Sequence, residues 1–150
     1  EHFARLRIRC CFANYFWIIL LVGTKWCGMG NSAENFDDLG EEEDVDMCCR
    51  THDYCPDTIP AFSTKHNLTN KMFYTRLSCE CDTEFYKCLQ SSDSSSANTI
   101  GNLYFNMIGT QCFRNYYPVK GCKKRAGKCI EYEYDTSKEK TYQWFDVQYY

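Results

Sequence analysis

His52 and Asp53 stand side by side in the segment CCRTHDYC, which begins at Cys48 and ends at Cys55. An imidazole next to a carboxylate could act as a general base, could bind a metal ion, or could belong to an ordinary disulfide-linked helix. A single histidine on a helix is usually structural or exposed, so the pair alone is a weak signal. The elements that position the two side chains decide between these three possibilities.

The cysteine content indicates the class of protein. Twelve of the 150 residues are cysteine, a density typical of disulfide-linked proteins from an oxidising compartment, so we expect a secreted, extracellular protein. A zinc protein is the alternative, but structural zinc ligands usually occur as C-x-x-C pairs, and the sequence contains none. The net charge of −3 argues against a nucleic-acid partner.

The N-terminal residues differ in character from the rest. Residues 1–18 contain several basic side chains, and an apolar run extends from Phe12 to Val22. This run is too short to span a bilayer and resembles the charged and apolar regions of a signal peptide. The alternative is a fragment or gene-model extension, with part of the run serving as a first strand. Residues 19–150 are predicted to form one domain.

Two helices are predicted around the cysteine-rich motifs. The acidic run of residues 37–46 complements the dipole of a helix N-terminus, and a helix is expected to follow it as far as Cys55. We interpret the run itself as a solvated face. A second helix is predicted from Thr75 to about Ser91, because apolar residues recur there at spacings of three and four.

The remaining segments predict a mainly α protein with a small β region. Residues 91–98 are polar and are expected to form a loop, whereas residues 101–113 are apolar and are expected to be helical. Residues 130–135 and 141–147 alternate between apolar and polar side chains. They predict two strands that form a C-terminal β-hairpin across a charged loop.

The cysteines of the two helices have matching spacings. Cys48 and Cys55 are seven residues apart, as are Cys81 and Cys88, and seven residues make about two helical turns. Each pair therefore lies on one helix face, and antiparallel packing would bring Cys48 to Cys88 and Cys55 to Cys81. His52 lies between the two bridges on that face.

Asp82 would then approach His52 across the helix pair. A carboxylate in this position fixes the tautomer of the imidazole and stabilises the charged form of a general base. Asp53 faces elsewhere, because consecutive helical residues are separated by about 100°. A bridge from Cys49 to Cys27 would bring the glycine-rich loop WCGMG over Asp53. Carbonyl oxygens and one carboxylate suit Ca²⁺ better than zinc.

Seven short motifs are distributed along the chain from residue 23 to residue 146. They are GTKWCGMGN, CCRTHDYCP, KHNLTN, TRLSCECDTEFYKCL, LYFN, GCKKRAGKC and YQWFD. Their order and spacing resemble the secreted phospholipases A2, most closely group III, the bee-venom type. The first motif resembles the calcium-binding loop of that family, and the second resembles its helix with the active-site histidine. The resemblance covers about residues 19–150 and implies the disulfide-rich phospholipase A2 fold.

The resemblance implies calcium-dependent hydrolysis of the sn-2 ester of glycerophospholipids to a lysophospholipid and a free fatty acid. The residues that match the family's histidine, orienting aspartate and supporting tyrosine are His52, Asp82 and Tyr104. The implied cofactor is Ca²⁺. Its matching ligands are the backbone carbonyls of Trp26, Gly28 and Gly30 and the carboxylate of Asp53. The amide of Gly28 matches the donor of the oxyanion hole.

The resemblance also implies the disulfide framework. Ten cysteines are paired, and Cys10 and Cys11 are left over. The implied bridges are Cys27–Cys49, Cys48–Cys88, Cys55–Cys81, Cys79–Cys112 and Cys122–Cys129. Two residues depart from the bee-venom type: Met29 stands where that type has histidine, and Val22 where it has proline.

The implied partner is a phospholipid membrane surface, on which a monomer would dock. Ile19 and Leu20 are candidates for an apolar docking rim, with a signal-sequence or core role as the alternative. The net charge of −3 predicts weak attraction to anionic bilayers. Asn67 begins the sequon NLT and is a candidate for glycosylation. The competing interpretation is a phospholipase-like protein that binds a receptor or channel, although His52 and Asp53 are both retained.

Overall fold

The computed structural model describes residues 23–150 as short helices and paired strands joined by five disulfide bridges. The predictions for residues 1–18, which include those for Cys10 and Cys11, fall outside this range. Those for Ile19, Leu20 and Val22 fall outside it as well. Within the described range, no helix is both long enough and apolar enough to cross a membrane.

The helical elements of residues 23–150 are three α-helices and one π-helix. They are α1 (Glu43–Asp53), α2 (Cys79–Ser92), α3 (Ser95–Gly101) and a π-helix (Asn102–Ile108). The acidic run divides into a loop and the first turn of α1, where acidic side chains complement the helix dipole. α2 begins after Ser78 rather than at Thr75, because Ser78 is extended and its side chain caps the helix.

Residues 91–98 do not form the predicted loop. They contain the last turn of α2 and the first turn of α3, separated by Asp93 in a left-handed conformation with φ 44°. Ser94 caps α3, because its hydroxyl accepts a hydrogen bond from the amide of Ala97. The serine-rich composition therefore reflects helix capping as much as loop formation.

Two disulfide bridges join α1 to α2. Cys48 of α1 pairs with Cys88 near the end of α2, and Cys55, which follows α1, pairs with Cys81 in the first turn of α2. The two helices therefore run in opposite directions, and the bridges fix their register. The other bridges are Cys27–Cys49, Cys79–Cys112 and Cys122–Cys129. All five pairs are those that the resemblance implies.

The strands of residues 23–150 form two-stranded antiparallel sheets. Two are short: β1 (Thr58–Ile59) with β4 (Arg76–Leu77), and β2 (Thr64–Lys65) with β3 (Leu68–Thr69). Two are longer: β5 (Gln111–Tyr116) with β8 (Thr141–Asp146), and β6 (Val119–Arg125) with β7 (Lys128–Tyr134). The longer pairs make up the small β region; β7 and β8 match the two predicted strands, whereas β5 and β6 were not predicted.

The predicted pairing of the C-terminal hairpin is wrong. Both strands exist, but β7 pairs with β6, and β8 pairs with β5. Ala126 (φ 48°) and Gly127 (φ 82°) form a two-residue turn between β6 and β7, and this left-handed pair suits a tight hairpin. The bridge Cys122–Cys129 closes the same hairpin. The charged loop after β7 therefore carries the chain into a different sheet.

Residues 101–113 are only partly helical, contrary to the prediction. The π-helix ends at Gly109, which has φ 56°, and β5 follows. Cys112 and Phe113 are buried in β5, so their apolar character reflects the sheet and not a helix. Phe105 of the π-helix and Leu89 of α2 are fully buried in one core cluster. This packing holds the π-helix against α2.

Candidate active site

A cavity of about 650 Å³, here called the slot, brings together most residues that the sequence analysis singled out. Its walls include residues 26–30 of the glycine-rich loop, His52 and Asp53 at the end of α1, and Tyr104 of the π-helix. Mostly apolar side chains from α2, residues 58–77 and the π-helix complete the lining. The slot therefore combines an imidazole and a carboxyl group with a largely apolar surface.

His52 and Asp82 contact each other directly. His52 Nε2 lies 2.8 Å from Asp82 Oδ1, and the hydroxyl of Tyr104 donates a 2.8 Å hydrogen bond to the same oxygen. The side chains of His52 and Asp82 are only 10% and 3% exposed. Phe85 stacks on the imidazole with 4.2 Å between ring centroids, and the Tyr104 ring meets it edge-on at 5.1 Å. These contacts leave the imidazole little freedom to rotate.

The contact with Asp82 determines which nitrogen of His52 can act as a base. An ionised carboxylate only accepts hydrogen bonds, so Nε2 must carry a proton and donate it. The other ring nitrogen, Nδ1, then has a free lone pair, and no residue within 23–150 forms a hydrogen bond with it. Because His52 lines the slot, this lone pair is available to a molecule bound there.

Tyr104 is a permanent hydrogen-bond donor to Asp82. Burial, followed by the adjacent Asp82 carboxylate, raises the pKa of Tyr104 well above its usual value of 10.0, so the hydroxyl keeps its proton. Lys128 supports the π-helix that carries Tyr104. Its ammonium donates to the carbonyl of Phe105 at 2.8 Å and to that of Gln148 at 3.3 Å. Burial lowers the pKa of Lys128.

The glycine-rich loop is held beside Asp53 by the bridge Cys27–Cys49. The predicted ligand residues that line the slot are Trp26, Gly28, Gly30 and Asp53. Gly30 has φ 83°, a conformation that glycine adopts without the strain other residues would incur. The loop and the end of α1 therefore present their polar atoms to the same cavity.

The polar atoms of the loop and Asp53 fit a hard cation. No hydrogen bond from another residue of the described range reaches the Asp53 carboxylate or the carbonyl oxygens of Trp26, Gly28 and Gly30. One carboxylate with several carbonyl oxygens is a donor set that Ca²⁺ accepts. Across residues 23–150, no cluster of three or more His, Cys, Asp or Glu side chains could hold a metal. A cation here would therefore depend mainly on backbone oxygens.

Asp53 is an uncompensated carboxyl group. Burial by the surrounding protein raises the pKa of Asp53 from 3.8 to about 6; the neighbouring His52 lowers it, and Asp46 raises it further. Asp53 nevertheless remains exposed to solvent, which moderates this effect. The ionised form is therefore disfavoured without a cation, and a bound cation would relieve this cost.

Asp46 was not predicted as a site residue, because the acidic run that contains it was interpreted as a solvated face. Asp46 is completely buried and accepts hydrogen bonds from the backbone amides of Lys25, Trp26 and Gly40. The other acidic side chains of the run are half-buried or exposed, as expected. Spacing was the available signal, because Asp46 and Asp53 are seven residues apart on α1.

Known proteins are similar to this chain over most of its length. The chain matches the Phospholipase A2 family model over residues 20–116. It is 49% identical over 134 residues to a phospholipase A2 of Apis dorsata, covering 88% of this chain and 100% of that protein. It is 52% identical over 133 residues to a phospholipase A2 of Bombus pensylvanicus, covering 86% of this chain and 98% of that protein. It is 42% identical over 111 residues to a phospholipase A2 of Hottentotta tamulus, covering 71% of this chain and 66% of that protein.

A histidine–aspartate pair in a slot beside a disulfide-anchored glycine-rich loop is the arrangement that the motifs predict for a phospholipase A2. The chain belongs to the phospholipase A2 family and, within it, to group III, the bee-venom type. The resemblance recognised from the sequence motifs is thereby confirmed. The five disulfide bridges, the helices and the small antiparallel sheets fit the disulfide-rich fold of this family.

Asp53→Asn is expected to stabilise the protein when divalent cations are chelated. Folding raises the pKa of Asp53, so its ionisation disfavours the folded state; this penalty is absent well below pH 3.8 and complete above about pH 6. At pH 8 in chelator the free energy of unfolding should rise by about 1 kcal/mol, a value discounted because solvent screens the charge.

Urea unfolding of both proteins at pH 8 and near pH 4 measures this difference. The gain should shrink towards the acidic pH, and Asp44→Asn, an exposed change on the same helix, should show no such trend. An equal gain at both pH values would contradict the assignment to Asp53 ionisation.

Proposed function

We propose that this protein is a secreted, calcium-dependent phospholipase A2 that hydrolyses the sn-2 ester of glycerophospholipids to a lysophospholipid and a free fatty acid. The observation that carries the proposal is the hydrogen bond between His52 Nε2 and Asp82 Oδ1, which leaves Nδ1 as a base in the slot that Asp53 also lines. The nucleophile is water, so no serine or cysteine nucleophile is required. One chain supplies every residue of this scheme, and we expect a monomer.

In the proposed reaction, neutral His52 accepts a proton at Nδ1 from a water molecule, directly or through a second water, as the ester carbonyl is attacked. His52 becomes positively charged. The Asp82 carboxylate stabilises this charge across the 2.8 Å contact, and the Tyr104 hydroxyl keeps that carboxylate oriented. His52 then returns the proton to the oxygen of the leaving lysophospholipid.

Ca²⁺ is the proposed cofactor. The residues that would hold it are Trp26, Gly28, Gly30 and Asp53, through three backbone carbonyls and one carboxylate. When bound, it supplies Lewis-acid polarisation of the ester carbonyl and a counter-charge for the substrate phosphate. The Gly28 amide is proposed to donate to the developing oxyanion. Met29, which stands where the bee-venom type has histidine, changes none of these donors, because the loop ligands are backbone atoms.

The substrate surface is proposed to be a phospholipid bilayer. Leu103 and Ile108 line the apolar part of the slot, which suits an acyl chain. Phe73 lines the slot and is 44% exposed, and two further exposed apolar side chains, Met107 (77%) and Phe62 (72%), are each adjacent in sequence to a slot-lining residue. Large apolar side chains gathered around a cavity mark an interaction surface. We call Met107, Phe62 and Phe73 the apolar rim and propose that it enters the bilayer.

Removal of the base or of the cation is expected to abolish hydrolysis. His52→Gln retains a polar side chain but has no basic nitrogen, so fatty-acid release from sn-2-labelled phosphatidylcholine vesicles should fall about 10²- to 10⁴-fold. A chelator should stop the wild-type enzyme, and added Ca²⁺ should restore it. Tyr104→Phe removes one hydrogen bond to Asp82 and should reduce kcat only about fivefold.

Two controls make this test specific. An sn-1 label should not be released, and the unfolding midpoint of His52→Gln in chelator should remain close to that of the wild type. Oxidised, folded protein that hydrolyses neither vesicles nor monomeric substrate would contradict the proposal. That result would favour the competing class, a phospholipase-like protein that binds a receptor or channel.

Met107→Ser is expected to weaken binding to zwitterionic phosphatidylcholine vesicles about tenfold, because burial of a methionine side chain contributes roughly 1.5–3 kcal/mol. Met47→Ser is the matched control, since Met47 is also exposed but is not adjacent in sequence to any slot-lining residue. It should change binding less than twofold. Vesicle co-sedimentation at low and high salt measures both variants. Strong, salt-sensitive binding to anionic vesicles that is the same for the wild type and Met107→Ser would argue against the apolar rim.

Asn67 is the proposed acceptor of an N-linked glycan. It is exposed at the turn between β2 and β3, where His66 (φ 54°) and Asn67 (φ 59°) are both left-handed. Expression in a eukaryotic secretory pathway should release glycosylated protein into the medium. Enzymatic deglycosylation and Asn67→Gln should remove the same mass, whereas Asn115→Gln, at an exposed asparagine outside a sequon, should remove none. A glycan retained in Asn67→Gln, or none in the wild type, would reject this assignment.

A further inference from the structure

Asp46 is a buried anion next to the glycine-rich loop. Its side chain is 0% exposed, and it takes part in no ion pair within residues 23–150. Burial of an unpaired carboxylate is costly unless strong hydrogen bonds replace its hydration. Backbone amides replace that hydration here, and three N–H groups converge on the two oxygens of Asp46.

The three amides belong to the two ends of one loop. The Lys25 amide lies 3.0 Å from Oδ1 and 2.9 Å from Oδ2 of Asp46, and the Trp26 amide lies 2.7 Å from Oδ1. The Gly40 amide donates to Oδ2 at 2.8 Å. Asp46 therefore closes the loop of residues 25–40 at its base. We call this group of Lys25, Trp26, Gly40 and Asp46 the loop neck.

Gly40 allows the backbone to approach Gly23 closely at the loop neck. A Cβ atom added to Gly40 would lie 2.1 Å from the carbonyl oxygen of Gly23, which is closer than the atoms can approach. The amide of Glu42 also donates to that carbonyl oxygen at 3.0 Å. The position of the loop therefore depends on the absence of a side chain at Gly40 as well as on Asp46.

We propose that Asp46 is the positioning residue of the calcium loop. It holds the amide of Trp26, whose carbonyl is a proposed ligand, and the following residue is bridged to Cys49. Asp46 thus fixes the loop where its ligand-bearing part, residues 26–30, begins. No side chain of residues 23–150 forms an ion pair with Asp46, so its charge adds to the attraction that Asp53 exerts on a cation. The inference rests on the calcium function proposed above.

The decisive comparison is between Asp46→Asn and Asp44→Asn. Both remove one carboxylate from the first turn of α1, but Asp44 is exposed and accepts no hydrogen bond from the loop amides. Calorimetric titration of the substrate-free protein should give a Kd for Ca²⁺ at least about tenfold higher for Asp46→Asn, and within about twofold of wild type for Asp44→Asn. At saturating Ca²⁺, kcat of Asp46→Asn should stay within about threefold of wild type.

Gly40→Ala tests the loop neck without a change of charge. Its Cβ must push Gly23 away, so the Kd for Ca²⁺ should rise here too. Hydrogen exchange in chelator reports the neck directly: the amides of Lys25 and Trp26 should exchange faster in Asp46→Asn and Gly40→Ala, and at the wild-type rate in Asp44→Asn. If Asp46→Asn does not fold, Gly40→Ala and its exchange rates provide the same test.

Equal Ca²⁺ affinity in Asp46→Asn and Asp44→Asn would overturn the inference, as would unchanged exchange of the two amides. A loss of kcat that persists at saturating Ca²⁺ would also overturn it, because that pattern indicates general damage to the site. If the wild type binds no Ca²⁺, the proposed function fails instead. The exchange rates would still decide whether Asp46 holds the loop.

Discussion

The fixed separation of α1 and α2 is the constraint on which the site depends. His52 and Asp82 lie on different helices and meet through one hydrogen bond of 2.8 Å. The strength of such a bond declines steeply once the donor–acceptor distance leaves a narrow range. The bridges Cys48–Cys88 and Cys55–Cys81 join the two helices in the same region and hold that distance covalently. A chain of this size has only a modest core, so packing alone would hold the helices less firmly.

The same bridges explain why the contact between His52 and Asp82 could be predicted from the sequence. Helix geometry converts a spacing of seven residues into a shared face, so the cysteine positions alone predict which helix faces meet. His52 and Asp82 follow from their positions relative to those cysteines. The glycine-rich loop was predictable for a related reason, because Cys27 and Cys49 tie it to the helix that carries Asp53.

The sheet pairing and the π-helix lacked any comparable signal. Alternation of apolar and polar residues identifies a strand but not its partner, and β7 finds β6 because Ala126 and Gly127 form a tight turn. The apolar composition of residues 101–113 does not by itself distinguish a helix from a strand. Asp46 was hidden for another reason. Its neighbours in the acidic run are solvated, and only the folded loop shows that three amides need its carboxylate.

Within the β6–β7 hairpin, Lys128 and the tip differ in how well they tolerate substitution. Its buried ammonium is bonded to the carbonyl of Phe105, one residue from Tyr104, whereas Lys124 and Arg125 at the tip are exposed. During divergence, the tip can alter its length and charge without disturbing the pair of His52 and Asp82, but Lys128 cannot be exchanged so freely. The hairpin is thus a site where a lineage can vary surface properties while inheriting its chemistry unchanged.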